Sequence, residues 1–233
     1  MSPSGDVAVI IPARNESDRI GATVRAAATL PGVDLVLVVD DGSADQTRVI
    51  AERAGASVIS HARPRGKGGA METGAEAVNL LDKQEGRQVP RHLLFLDADL
   101  GDTAKQAGPL TEPVRGGEAD MTIAVFTSII KLGGHGFVVK LSSAGIKRAT
   151  GWTPTQPLNG QRCLTRAAFE AARPIAPGFG AETALTIDLL RKGKRITEVE
   201  VPLTHRATGT DWRAQLHRAR QFADVGRALA RRL

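Results

Sequence analysis

The sequence has one cysteine, Cys163, and no tyrosine, and aromatic residues make up only 3% of it. A lone cysteine excludes an intramolecular disulfide and suits a reducing compartment. The shortage of aromatics removes the stacking platforms that single-stranded nucleic acid needs, so the net charge of +6 does not point to a nucleic-acid partner. That charge favours smaller anions, either phosphorylated metabolites or acidic lipid. Long apolar runs are missing too. The first run, Val7 to Ile11, has no basic segment before it and is not expected to act as a signal peptide. No run approaches the about 18 residues of a spanning helix. The chain is therefore expected in the cytoplasm, with peripheral contact at the inner membrane face as a further option. What is present is a globular composition: 233 residues, 42% hydrophobic and 24% charged, without repeats or low-complexity tracts. That predicts a single domain, residues 1–233, with a real core.

Short apolar runs alternate with helical patterns through the first half. Strands are predicted at 7–11, 35–39, 57–60, 92–97 and 121–125, and helices at 18–30, 44–55 and 70–84. Strands that are apolar throughout and separated by helices indicate an α/β protein with a mostly parallel sheet covered on both faces. The second half reads as a glycine-rich stretch and helix (133–151), a proline-containing loop (152–160), helices at 165–173 and 181–193, and an alternating strand at 195–203. A basic amphipathic helix is predicted over 211–233, with Trp212, Leu216, Ala219, Ala223, Gly226 and Leu229 on its apolar stripe. Residues 1–103 thus form a nucleotide-type half and 104–233 an elaborated half.

In open α/β sheets, ligands bind beyond the carboxyl ends of the strands. Three predicted strands end in polar or acidic segments: "PARNES" (12–17), "DDGSADQT" (40–47) and "DADLGD" (97–102). In an extended segment Asp97 and Asp99 share a face. Two carboxylates held together repel unless a proton or a divalent cation separates them, and oxygen ligands suit Mg²⁺ or Mn²⁺. The plainer reading of such an acid is a helix cap, which remains the reading for Asp102. "RPRGKGGA" (63–70) is a basic glycine-rich loop opening a helix, a setting that attracts phosphate. It is neither a Walker A loop nor a dinucleotide fingerprint. After the last strand, His205 is a candidate metal ligand and Arg206 a candidate phosphate clamp, each a weak signal alone.

"VIIPARNES", "VVDDGSADQT", "RGKGGA" and "LDADL", in this order, resemble nucleotide-sugar glycosyltransferases of the GT-A fold, family 2, including polyprenyl-phosphate sugar synthases. "QPLNGQR" (156–162), "PGFGAETALTIDLL" (177–190) and "VPLTHRATG" (201–209) are similar to stretches of glucosyl-3-phosphoglycerate synthases. The resemblance implies a single GT-A domain with an acceptor-binding second half, and a divalent metal cofactor, Mg²⁺ or Mn²⁺. It implies that Pro12, Ala13, Arg14, Asn15 and Glu16 line the nucleoside. Asp41 would contact the base, Lys67 would lie near the base or phosphates, and Asp97 and Ala98 would orient the donor. Asp99 and His205 would hold the metal. Asp97, Asp99 and Glu182 are the candidate catalytic residues, and Asn159, Gly160, Gln161, Arg162 and Arg206 the candidate acceptor site.

Glu182 has no adjacent acid, and the QxxRW pattern of polymer synthases is absent. A neutral hydroxyl attacking with inversion needs a base, whereas an anionic phosphate does not, and a retaining enzyme need not have one either, so inversion and retention both stay open. The expected function is therefore metal-dependent transfer of a hexosyl group from a UDP- or GDP-sugar to a small phosphorylated acceptor such as phosphoglycerate, or to a polyprenyl phosphate. The competing readings are a sugar-phosphate nucleotidyltransferase, disfavoured because "PARNES" has no glycine, and a non-catalytic nucleotide-sugar-binding protein. Contact with a membrane surface and a homodimeric assembly are left open.

Overall fold

The computed structural model describes residues 5–127, 136–203 and 222–233. Its centre is a seven-stranded sheet. The strands are β1 (Val7–Ala13), β2 (Val33–Asp40), β3 (Ser57–Ser60), β4 (His92–Phe95), β5 (Met121–Phe126), β6 (Arg162–Leu164) and β7 (Ile196–Val201), in the spatial order β3-β2-β1-β4-β6-β5-β7. β1 to β4 are mutually parallel, β5 and β7 pair in parallel, and β6 runs antiparallel to both β4 and β5.

The helices are α1 (Ile20–Ala27), α2 (Thr47–Arg53), α3 (Gly66–Gln84), α4 (Glu112–Arg115), α5 (Phe137–Thr150), α6 (Arg166–Ala172), α7 (Ala181–Arg191) and α8 (222–230), with a 3₁₀ segment at Gly101–Leu110. Alternate side chains of the strands feed two apolar cores. On one face Val7, Val9, Ile11, Val38 and Leu94 join Ile20, Val24 and Leu110. On the other, Ala8, Ile10, Leu37, Val39 and Phe95 join Met71, Val78, Phe169 and Leu185. α3 lies close on the sheet because Gly74 faces Ile10, where a Cβ would sit 2.5 Å from Cγ2.

The predicted α/β architecture is the observed one. β3 has the predicted bounds, and most other elements differ by a few residues at their ends. β6 was not expected: its three residues follow Asn159 and Gly160 and look like the end of a loop. α3 begins at Gly66, so the glycine-rich loop is already its first turn. The described part of the C-terminal helix buries Val225, Ala228 and Leu229. That corrects the predicted stripe, since Gly226 is only partly covered; Trp212, Leu216 and Ala219 lie outside the described residues.

The topology fixes the place of any site. From β1 the chain winds outward through β2 and β3, then crosses back to β4 on the other side of β1. Neighbouring strands whose connections leave in opposite directions open a crevice at their carboxyl ends. Here the crevice lies between the tips of β1 and β4, where "PARNES" and "DADLGD" sit.

Candidate functional site

The β1 and β2 tips are laced together. Asn15 adopts a left-handed backbone with φ of 55°. Its backbone N–H donates to Ser43 Oγ at 2.9 Å, and its Oδ1 accepts from Ala44 N–H at 2.8 Å. Glu16 N–H donates to Thr47 Oγ1, and Ser17 N–H to Asp45. Burial would raise the Asp45 carboxyl, but bonds from Thr47 and Ser17 outweigh it and bring the pKa to about 2. Pro12 is partly covered and Ala13 buried, while Arg14 and Asn15 are exposed at the rim.

Asp41 occupies the β2 tip with both carboxylate oxygens engaged. Oδ1 accepts from Arg65 N–H at 2.7 Å and meets His61 Nδ1 at 2.7 Å; Oδ2 accepts from Gly66 N–H at 2.8 Å. Asp41 thereby caps α3 from a distance, where Arg65 supplies no side-chain cap. Burial raises its pKa, yet the two backbone N–H groups and His61 hold it below the usual carboxylate value. The side chain expected to face a base is thus first a clasp for the basic loop.

That loop delivers Lys67 into the crevice. Its Nζ lies 2.7 Å from Asp97 Oδ1 and 2.9 Å from Glu182 Oε1. Burial disfavours the ammonium, but the two carboxylates more than compensate and raise its pKa, so Lys67 is a cation at every physiological pH. Gly160 completes the arrangement. A Cβ on it would lie 2.2 Å from Lys67 Nζ and 3.0 Å from Asp97 Oδ1. The strand register explains the approach: Phe95 pairs with Arg162, which sets Gly160 opposite Asp97.

The rest of the predicted acceptor segment is built inward. Arg162 is fully buried. Its guanidinium donates to the carbonyls of Asn159, Pro157 and Glu182 and to Thr186 Oγ1. Burial lowers its pKa to about 10, still a cation. An arginine enclosed in this way cannot touch an acceptor; it braces the loop against α7 and so places Glu182. Asn159 is also tied down, accepting from Gln161 N–H and donating to Gln156. Gln161 alternates to the opposite face from Gly160. Among the described residues its buried amide has no hydrogen-bond partner on either atom.

Asp99 stands at the β4 side of the crevice. Arg19 donates to its carbonyl at 3.1 Å, and Thr23 Oγ1 donates to the buried Ala98's carbonyl at 2.8 Å while accepting from Gly101 N–H. The acidic turn is thus pinned by α1. Asp102 falls in the first turn of the 3₁₀ segment, as expected of a helix-start acid. Among the described residues no three His, Cys, Asp or Glu side chains gather to hold a metal. Lys67 engages Asp97, and the Asp99 carboxylate is a candidate donor among the described residues. A hard oxygen donor fits Mg²⁺ or Mn²⁺ if a diphosphate supplies further oxygens. His205 and Arg206 lie outside the described residues.

Sequence reading missed His61, Thr73, Arg19 and Thr23. His61 had a usable signal, since it follows β3 directly at the same edge as the other strand tips.

A mostly parallel sheet with acids and a basic helix start around its switch point is the architecture of the GT-A class of nucleotide-sugar folds. The chain belongs to glycosyl transferase family 2, whose pattern matches residues 8–170. Glycosyltransferase AglJ of Haloferax volcanii is 32% identical over 213 residues, which cover 88% of this chain and 65% of that protein. The glucosyl-3-phosphoglycerate synthase of Mycolicibacterium smegmatis is 29% identical over 206 residues, covering 78% of this chain and 63% of that one. The chain thus spans somewhat less than two-thirds of the length of these relatives. A crystal structure of the glucosyl-3-phosphoglycerate synthase of Mycobacterium tuberculosis, in complex with Mn²⁺, UDP-glucose and phosphoglyceric acid, superposes with a TM-score of 0.72 at 25% identity. It covers 97% of this chain and 80% of that one.

Proposed function

We propose that this protein transfers a hexosyl group from a nucleoside diphosphate sugar, with a UDP-sugar the first candidate, to a small phosphorylated acceptor. The observation that carries the reading is the Lys67 ammonium held between Asp97 and Glu182 at the sheet's switch point. In the transfer, the bond from the sugar's anomeric carbon to the diphosphate oxygen breaks and its electron pair stays on the leaving diphosphate. A bond forms from that carbon to an acceptor oxygen. Lys67 offers fixed positive charge beside the leaving group without reorganisation. Asp97 and Glu182, oriented by Lys67, accept hydrogen bonds from sugar hydroxyls. Asp99, with the diphosphate, would hold the divalent cation, which neutralises developing charge on the leaving group when bound.

Among the described residues of α7 no second acid stands beside Glu182, which supports an acceptor that needs no base. The other acid of α7, Asp188, is paired with Arg232 at 2.7 and 2.6 Å and does not accompany Glu182. Glu182 is itself engaged by Lys67. An acceptor that is already an anion, such as a phosphate, needs no deprotonation. A polyprenyl phosphate is the second reading, favoured by one observation: Phe137 and Phe222 stack with centroids 5.5 Å apart and stand 74% and 42% exposed. Liposome flotation separates the two, with retention in the soluble fraction expected for a small acceptor.

A thermal-shift panel of UDP- and GDP-sugars with Mn²⁺ or Mg²⁺ tests the donor. Metal-dependent stabilisation by one nucleotide class is expected, and Asp99→Ala should remove the metal-dependent part. Full retention of that part in Asp99→Ala would overturn the assignment of Asp99.

A further inference from the structure

We propose that His61 is a positioning residue for donor binding, joining the acid at the β2 tip to the helix that carries Lys67; the inference rests on the donor site proposed above. Its imidazole is 7% exposed and bridges two elements. Nδ1 lies 2.7 Å from Asp41 Oδ1, and Nε2 lies 2.9 Å from Thr73 Oγ1, two turns into α3. The Asp41 carboxylate only accepts, so Nδ1 carries the proton between them. In the neutral ring Nε2 accepts from the Thr73 hydroxyl, and in the charged ring it donates to it; either way the bridge is kept. Thr73 Oγ1 in turn accepts from Arg65 Nη1 at 3.1 Å, and the Arg65 backbone N–H returns to Asp41 Oδ1 at 2.7 Å.

These bonds close a ring: Asp41, His61, Thr73, the Arg65 side chain, the Arg65 backbone and Asp41 again. The ring encloses the entry to α3. Gly66 N–H is bound to Asp41 Oδ2, and the next residue is Lys67. The ring therefore fixes the backbone from which Lys67 reaches Asp97 and Glu182. A nucleophilic role for Thr73, suggested by its order behind His61 and Asp41, is not supported. Its hydroxyl lies within α3 and is shared with Arg65, and a helix interior offers no backbone N–H to stabilise an oxyanion.

In an open loop, the cost of ordering Arg65, Gly66 and Lys67 would fall on donor binding. The ring meets that cost in the fold. Its removal should weaken nucleotide binding more than it lowers the melting temperature.

The test is calorimetric titration of UDP, and separately GDP, with Mn²⁺ into the full chain, with melting curves recorded alongside. His61→Ala is expected to weaken binding about tenfold, the worth of about one charge-assisted hydrogen bond. Thr73→Val, which keeps the side chain's shape, should give a smaller loss in the same direction. His61→Asn, whose amide still donates to Asp41, should recover most of the affinity. Folded His61→Ala and Thr73→Val proteins that bind as the parent does would overturn the positioning role. A His61→Asn protein no better than His61→Ala would also overturn it, reducing His61 to packing. If the parent binds neither nucleotide, the donor reading fails first, an outcome distinct from a parent that binds and variants that match it.

Discussion

Two single residues carry much of the site's geometry. Gly160 is needed for its missing side chain. The nearest atom to an added Cβ is the Lys67 ammonium, at the end of a flexible chain, so the lysine would move and the backbone would not. Gly160→Ala is therefore expected to lower the melting temperature and to weaken nucleotide-sugar binding by about tenfold or more, since Lys67 loses its charge-assisted bonds to Asp97 and to the buried Glu182. Titration calorimetry beside melting curves checks both halves. Asp41 has a signature in pH. Its folded pKa is depressed, so its contribution to stability is complete above the ordinary carboxylate value and declines as pH falls through the folded value. Asp41→Asn should cost about 2 kcal/mol near neutral pH. The gap between parent and variant, followed by urea unfolding, should narrow below pH 4. Asp41 and Lys67 were both legible in the sequence, because each stands in a motif at a strand tip or helix start. Their partners were not. His61 is a lone histidine in the chain's notation, and Glu182 meets Lys67 only through the folding of α7 onto the sheet.

The elements divide along the same line. β1, β2, β4 and β5 carry runs of buried apolar residues, and the helices between the strands have helical periodicity, so both were legible from local pattern. β6 was hidden because it is three residues long and leans for its identity on β4 and β5. Without it, the segment Asn159–Arg162 reads as a surface acceptor loop. With it, Arg162 becomes an internal brace. Arg162→Leu is expected to destabilise the fold by about 3 kcal/mol or more, because the carbonyls of Asn159, Pro157 and Glu182 lose their donor in the interior. Arg162→Lys should restore only part of this, since a single ammonium cannot match the forked set of donors. Chemical denaturation of both variants tests the point. The α3 start was readable as a phosphate-attracting loop, but its long-range cap by Asp41 depends on β2 lying beside it and has no sequence spacing of its own.

Across the whole molecule, charge is sorted between the two ends of the sheet. At the amino ends of β1, β2 and β4, Arg91 is buried among Asp34, Asp82 and Glu85, and Arg87 joins Asp6, Asp34 and Glu85. This end is closed by its own ion pairs. The carboxyl end holds Lys67, Asp97, Asp99 and Glu182 around the crevice between β1 and β4. Composition alone excluded several partners but could not place the charges; the strand order does. The central claim is that this crevice transfers a hexosyl group to a phosphorylated acceptor. The most direct measurement is release of nucleoside diphosphate from a panel of UDP- and GDP-hexoses with Mn²⁺ and 3-phosphoglycerate, comparing the parent protein with Asp99→Asn. Acceptor-dependent release by the parent, reduced at least about a hundredfold in Asp99→Asn, is expected for a carboxylate that holds the metal. Tight donor binding without release for any donor, or undiminished release by Asp99→Asn, would contradict the account.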